Sequence, residues 1–172
     1  RHVAMSEVKA AKKSFDNLRL LWIAAFVISV DQLSKHFVAK ALVLYDSIPV
    51  IAHFNLVRLH NTGAAFSMMN QAPAAMFIVL SVAVSVGILW WFRANRHGQL
   101  LNALAFAFVL GGALGNAIDR ATRGYVLDFI QFFVGDWHFA AFNVADMAIT
   151  LGASLMILDL VIQSVRRPPS NP

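Results

Sequence analysis

Four apolar stretches, each close to the length of a membrane crossing, constrain this chain more than any other feature. They run roughly from Leu20 to Ala39, Ala74 to Phe92, Leu100 to Ile118 and Val144 to Val165. A helix needs about 20 apolar residues to cross about 30 Å of hydrocarbon, so each stretch reads as a transmembrane span. Of the 172 residues, 59% are hydrophobic and only 13% charged. A soluble domain of this size would need far more charge to cover its surface. The expected fold is a mainly α membrane protein, with residues 1–172 as one integral-membrane domain. The first stretch is too long for the core of a cleavable signal peptide and carries Asp31, Lys35 and His36. It is therefore expected to remain as a span.

A net charge of +5 raises the question of nucleic acid, and the placement of the charges answers it. Arg1, Lys9, Lys12, Lys13 and Arg19 precede the first span, Arg93 and Arg96 fill the second connection, and Arg166 and Arg167 follow the last span. The positive-inside bias assigns both termini and the 93–99 connection to the cytoplasm. Segments 40–72 and 119–143 then lie outside, and no nucleic-acid partner is implied. With no cysteine, the chain has no disulfide, thiolate nucleophile or cysteine metal site.

The outer segments are not featureless. "IPVIAHFNLVRLHNTGAAFSM" alternates apolar and polar residues around His53, Asn55 and Arg58, which predicts one or two short strands. "GYVLDFIQFFVGDWHFAAFN" has the same character, with "VGD" as a turn. A small sheet resting on the membrane follows. Trp137, Phe139 and Phe142 suit the interfacial aromatic belt.

Ionisable side chains at membrane depth are costly and mark function by default. Asp31 and Lys35 lie four apart on one helix face, the spacing of an ion pair. In "LGGALGNAIDR", Gly111 and Gly115 form a small face for close helix packing, and Gly112, Asn116 and Asp119 form a stripe pointing into the bundle. Asn116, Asp119 and Arg120 thus cluster at the outer edge. Asn143, Asp146 and Thr150 form another stripe, in which Asn143 suits a helix N-cap and Asp146 lies in the opening turns. Asp128 has apolar neighbours on both sides, which raise a carboxyl pKa. Asp159 reads as an idle interfacial charge, and Asp46 and Asp136 as loop charges.

Several chemistries lack their residues. No H-E-x-x-H or similar histidine spacing is present, no G-x-S-x-G, no phosphate-binding glycine loop, and no G-x-G-D. No metal or cofactor is implied. What remains is a set of outer-face carboxylates. Two carboxyl groups in a low-dielectric site share a proton, so that one activates water while the other donates to a carbonyl. Asp31 with Lys35, and Asp119 beside Arg120, have neighbours that favour permanent charge; Asp128 has apolar neighbours and Asp146 lies in a helix's opening turns, environments that differ in the direction an acid–base pair requires. The competing use of buried carboxylates is ion or proton transport, which calls for acids along the whole membrane depth and for inverted repeats.

The motifs "DQLSK" (31–35), "NTGAAFS" (61–67), "GGALGNAIDR" (111–120), "GYVLDF" (124–129) and "FNVAD" (142–146), in this order and between four spans, resemble the bacterial lipoprotein signal peptidase (signal peptidase II) family. The resemblance covers about residues 20 to 165. It implies a four-helix inner-membrane aspartyl protease with a small periplasmic β-cradle. Its substrate is implied to be a diacylglyceryl-modified prolipoprotein, cut before the lipidated lipobox cysteine, with membrane lipid and globomycin-type inhibitors as further partners. By motif, the catalytic residues are Asp128 and Asp146. The supporting residues are Asp31, Lys35, Asn61, Asn116, Asp119, Arg120 and Asn143. "VLD" stands where "VVD" is usual, and the lead into the second span, residues 68–73, is short and lacks the family's tryptophan.

Overall fold

The computed structural model of the chain describes residues 15–63 and 74–166. A short 3-10 turn (Asn17–Leu20) leads into helix α1 (Leu21–Ala41), then strands β1 (Ser47–Ile51) and β2 (Phe54–Asn61). Helices α2 (Ala74–Ala94) and α3 (Leu100–Arg123) follow, then strands β3 (Val126–Val134) and β4 (Trp137–His138), and helix α4 (Val144–Arg166). Each of the four long helices is apolar enough to cross a membrane. The strands form one antiparallel sheet in the order β1-β2-β3-β4, at the end of the bundle where α1 and α3 stop and α4 begins. The chain is a mainly α membrane protein with a small sheet, the architecture that four apolar runs and two alternating connections call for. The shortened stretch 68–73 lies outside the described residues.

α3 is the central helix because its side chains are small. Eleven of its 24 residues are buried, nine of them Ala, Gly or Leu, against three buried residues in α2 and three in α4. Gly111 lets α1 approach: a Cβ there would lie 2.7 Å from Val27 Cβ and 2.9 Å from the Ala24 carbonyl oxygen. Gly112 does the same for α4, since its Cβ would run into the Ala145 carbonyl oxygen. From the other side, a Cβ on Gly152 would lie 2.6 Å from the Ala105 carbonyl oxygen. The outward faces are apolar, with Trp22, Phe26, Val79, Trp90 and Leu160 all at least 59% exposed. Lipid satisfies such faces, and small residues at the interfaces let dispersion forces hold the bundle.

α3 runs five residues beyond the span expected at 100–118. Asp119, Arg120 and Arg123 find partners inside the protein and remain helical, as the inward stripe of Gly112, Asn116 and Asp119 implied for Asp119. The helix stops at Gly124, whose φ of 80° is the left-handed C-cap conformation; its N–H returns to the Arg120 carbonyl at 3.1 Å. Asp159 is also corrected. It accepts hydrogen bonds from Asn102 Nδ2 (2.8 Å) and from Gln163, so it ties α4 to α3 at the end away from the sheet.

A cation and an apolar cluster anchor the sheet to the end of α1. Arg58 of β2 donates to the carbonyls of Ala39 (3.0 Å) and Leu42 (2.8 Å), satisfying the open end of α1. Val38 and Leu42 pack with Leu127 and Phe129 of β3. β2 and β3 pair with Leu59 opposite Asp128 and Asn61 opposite Val126. The strands therefore deliver Asn61 and Asp128 to the ends of α3 and α4.

Gly112→Ala should lower stability by about 1–3 kcal/mol, because backbone carbonyl oxygen cannot yield to an inserted methyl. Gly87→Ala, where a Cβ meets nothing within 4 Å, should leave it unchanged. Thermal unfolding in detergent checks both; equal melting points for the two variants would contradict the packing described.

Candidate active site

The site rests on a buried ion cluster. Lys35 is fully buried, and its ammonium has three hydrogens and three acceptors: Asp31 Oδ2 at 2.8 Å, Asp119 Oδ2 at 2.9 Å and Asn116 Oδ1 at 3.2 Å. Asp31 and Asp119 are also fully buried. The second oxygen of Asp31 accepts from the Ala145 N–H in the first turn of α4 (2.9 Å). Asp119 accepts from the Leu127 N–H of β3 (3.1 Å), from Arg123 Nη1 (2.7 Å) and from Gln32 Nε2 (3.1 Å). Two anions meet two cations, so no net charge is stranded in the interior. Gly115 makes room for this: a Cβ there would lie 2.9 Å from Asp31 Oδ2.

The pairing of Asp119 with Arg120 suggested by their adjacency is corrected. Neighbours on a helix point about 100° apart, whereas residues four apart share a face. Arg123 therefore reaches Asp119. Arg120 turns away, donating to the Gly63 carbonyl (3.0 Å) with its guanidinium 4.6 Å from the Phe77 ring centre.

Two amides connect the cluster to two further carboxylates. Asn116 Oδ1 faces the ammonium of Lys35, a group that can only donate, which fixes the amide's orientation. Its Nδ2 then donates to Asp146 Oδ1 at 2.8 Å. Asn143 is the N-cap of α4, and Asp146 stands three residues on. Asp146 N–H donates to Asn143 Oδ1 (3.0 Å), and Asn143 N–H donates back to Asp146 Oδ2 (3.2 Å), a capping box. Asn143 Nδ2 meanwhile donates to Asp128 Oδ1 at 2.7 Å. One residue thus touches both carboxylates. Asn61 Nδ2 donates to the other oxygen of Asp128 at 3.0 Å, while its own Oδ1 accepts from Gly63 N–H at 3.0 Å.

Asp128 is 3% exposed. Burial, and secondly the charge of Asp146, push its carboxyl up to about 7, against the opposing hydrogen bonds from Asn61 and Asn143. Near neutral pH such a group holds a proton that its neighbour can share.

A cavity of about 760 Å³ opens against Asp146. Asp146, Asn116, Asn61 and Arg120 line it together with Gly63, Val126 and the segment Phe139–Phe142, and it continues down α4 past Ile149 and Leu151 to Ser154. Asp128 joins that wall through Asn61. Phe139 and Phe142, read from the sequence as belt residues, face this cavity, while Trp137 is 62% exposed.

The nine residues singled out in the sequence form one connected set. Asp31, Lys35 and Asp119 make the ion cluster, Asn116 and Asn143 the joints, Asp128 and Asp146 the bridged pair, and Asn61 and Arg120 the wall. Gln32 and Arg123 were missed. Arg123 was discoverable from its position one turn after Asp119, and Gln32 from its place inside the motif "DQLSK".

Four membrane-length helices, a sheet closing one end, and two amide-bracketed carboxylates at a cavity there define a polytopic membrane protein with a built carboxylate site. Residues 23–162 match the family model for Signal peptidase (SPase) II, and the chain belongs to that family, which makes it a membrane peptidase. It is 45% identical to the lipoprotein signal peptidase of Alteromonas mediterranea, over 90% of this chain and 86% of the relative. It is 45% identical to that of Photorhabdus laumondii, over 83% of this chain and 87% of the relative. A solved bacterial membrane enzyme superposes with a TM-score of 0.82 at 28% identity, covering 92% of this chain and 97% of the other. A second superposes with a TM-score of 0.75 at 30% identity, covering 86% and 95%.

Lys35→Met should destabilise the protein by about 3–5 kcal/mol, since it leaves two buried carboxylates with one cation. Chemical or thermal unfolding in detergent checks this; a variant as stable as the parent would show that the ion cluster does not hold the bundle.

Proposed function

We propose that the chain is an aspartic endopeptidase of the bacterial inner membrane that removes signal peptides from diacylglyceryl-modified prolipoproteins. It cuts before the lipidated cysteine, with Asp128 and Asp146 as the catalytic pair and no metal or cofactor. The observation that carries this reading is the double bridge of Asn143, which donates from its side chain to Asp128 and from its backbone to Asp146. The names of the relatives support the substrate class.

In this mechanism one water lies between the two carboxyl groups. Asp146, ionised, takes a proton from it as the oxygen attacks the scissile carbonyl carbon. Asp128, protonated, gives its proton to the carbonyl oxygen, and a neutral tetrahedral diol forms. On collapse the C–N bond breaks, the amine leaves with the proton held by Asp146, and Asp128 recovers a proton from a diol hydroxyl. The pair ends as it began, carrying one proton and one negative charge. Asn116 and Asn143 hold both carboxyls in place throughout, and Arg120 and Asn61 face the substrate from the cavity wall. The Lys/Arg distribution supports cytoplasmic termini and a site near the periplasmic face. A globomycin-type inhibitor would occupy the same cavity, and membrane lipid would surround the single domain.

Asp128→Asn and Asp146→Asn should each lower turnover of a diacylglyceryl-modified prolipoprotein by at least about 10²-fold, and the double variant should be little worse because the residues act as a unit. Substantial cleavage by either single variant would remove that residue from the assignment.

The raised carboxyl of Asp128 also fixes a pH dependence. kcat/KM should fall as pH rises through about 7, because the pair then loses its one proton. Stability should move in the same direction. The unfolded carboxyl deprotonates near its ordinary value and the folded one only near 7, so the folded state loses stability as pH climbs between them. Asp128→Asn should abolish that slope. A rate that rises across pH 7, or an unchanged stability slope in Asp128→Asn, would contradict the proton's placement.

A further inference from the structure

We infer that the segment Phe139–Phe142 is a docking edge on which the stretch of substrate carrying the scissile bond is held as an added β-strand; this rests on the proposed function. β4 pairs with β3 so that Val134 faces Trp137 and Phe133 faces His138, and the ladder continues as Phe139 N–H donates to the Phe132 carbonyl (2.8 Å). The next contact is Phe142, which exchanges hydrogen bonds with Ile130 at 3.0 and 2.9 Å. Between these contacts β3 supplies one residue, Gln131, and the opposing strand supplies two, Ala140 and Ala141. That is a β-bulge, a feature that re-aims backbone beside functional sites.

Two consequences follow. Among the described residues, neither Ala140 nor Ala141 has a hydrogen bond to its N–H or carbonyl. Both residues line the cavity that Asp146 also lines, and β4 is the last strand of the sheet on this side. Among the described residues the cavity is therefore bordered by an unpaired sheet edge with two methyl side chains, too small to hold another backbone away. Exposed edges with unpaired groups are templates for an extended peptide.

The chemistry favours the same occupant. A carbonyl within a helix is engaged with the N–H four residues on and is closed to attack. An extended chain instead presents each carbonyl in turn, with its remaining N–H and C=O groups free to pair along the edge. Asp146 lines the same cavity as Ala140 and Ala141, so a strand on this edge carries its backbone past that carboxylate. Gly63 and Val126 also line this cavity.

The test uses the wild-type protein in detergent and synthetic diacylglyceryl-modified prolipoprotein segments. In each segment a single amide near, but not at, the scissile bond is replaced by an ester, which removes one N–H. A strand on an edge pairs through alternate residues. KM should therefore rise about 2- to 10-fold at every second position, the loss expected for one net hydrogen bond, and stay near the parent value between them, with kcat little changed. Ala141→Pro, which removes a donor from the edge, should raise KM by a similar factor. A flat ester scan, or one without the two-residue period, would overturn the docking edge. If the Asp→Asn variants are inactive while the scan is flat, only this inference fails; if those variants still cleave, the reading of the site fails with it.

Discussion

The ammonium of Lys35 is the point from which the rest of the molecule is organised. An ammonium at membrane depth is tolerated only with partners, and its three acceptors come from α1 and α3. Those partners carry the connection outward. Asp31 reaches the first turn of α4, Asp119 reaches the first residues of β3, and Asn116 passes the ammonium's polarity through its amide to Asp146. A single buried charge thereby locates three helices and a strand relative to one another. The glycines of α3 are part of the same requirement, because the cluster closes only if α1 and α4 approach within backbone distance.

The arrangement also explains how four acidic side chains divide into two kinds. Asp31 and Asp119 are matched by Lys35 and Arg123 and serve as fixed anions. Asp128 and Asp146 receive amide N–H groups and no direct cation, so a proton is the means by which the pair lowers its charge. Asn143 lets an ordinary device of helix initiation, the capping box, double as the bridge between those two carboxyls. Among the described residues the acids within the bundle concentrate where sheet and bundle meet, with Asp16 and Asp159 toward the opposite end, as a hydrolytic site needs and a path across the membrane does not.

Much of this was legible in the sequence because lipid imposes severe rules. Apolar runs of span length, and alternation in the two connections, have few other uses, so helices and sheet followed directly. Ending the third span at Ile118 placed the end of α3 too early, because polarity near a helix end does not distinguish solvent from an internal partner. Adjacency in sequence misled once more when Arg120 was paired with Asp119, where the helical repeat selects Arg123. The residue types of the site were recoverable, since aspartates and asparagines in apolar surroundings demand explanation. Their hydrogen-bond directions were not, because an amide's orientation depends on which neighbour can only donate. The bulge at Ala140–Ala141 depends on the register of two strands, which the alternation of side chains leaves open by one residue.

The proposed chemistry needs one shared proton on Asp128 and Asp146 beside an otherwise neutralised interior. Isotope-edited infrared spectroscopy of the protein with ¹³C-carboxyl-labelled aspartate observes that proton directly. The expected result is a protonated-carboxyl stretch at neutral pH that fades as pH rises past about 7 and is missing from Asp128→Asn. A spectrum with only ionised carboxylates at neutral pH, or a protonated band that survives in Asp128→Asn, would contradict it.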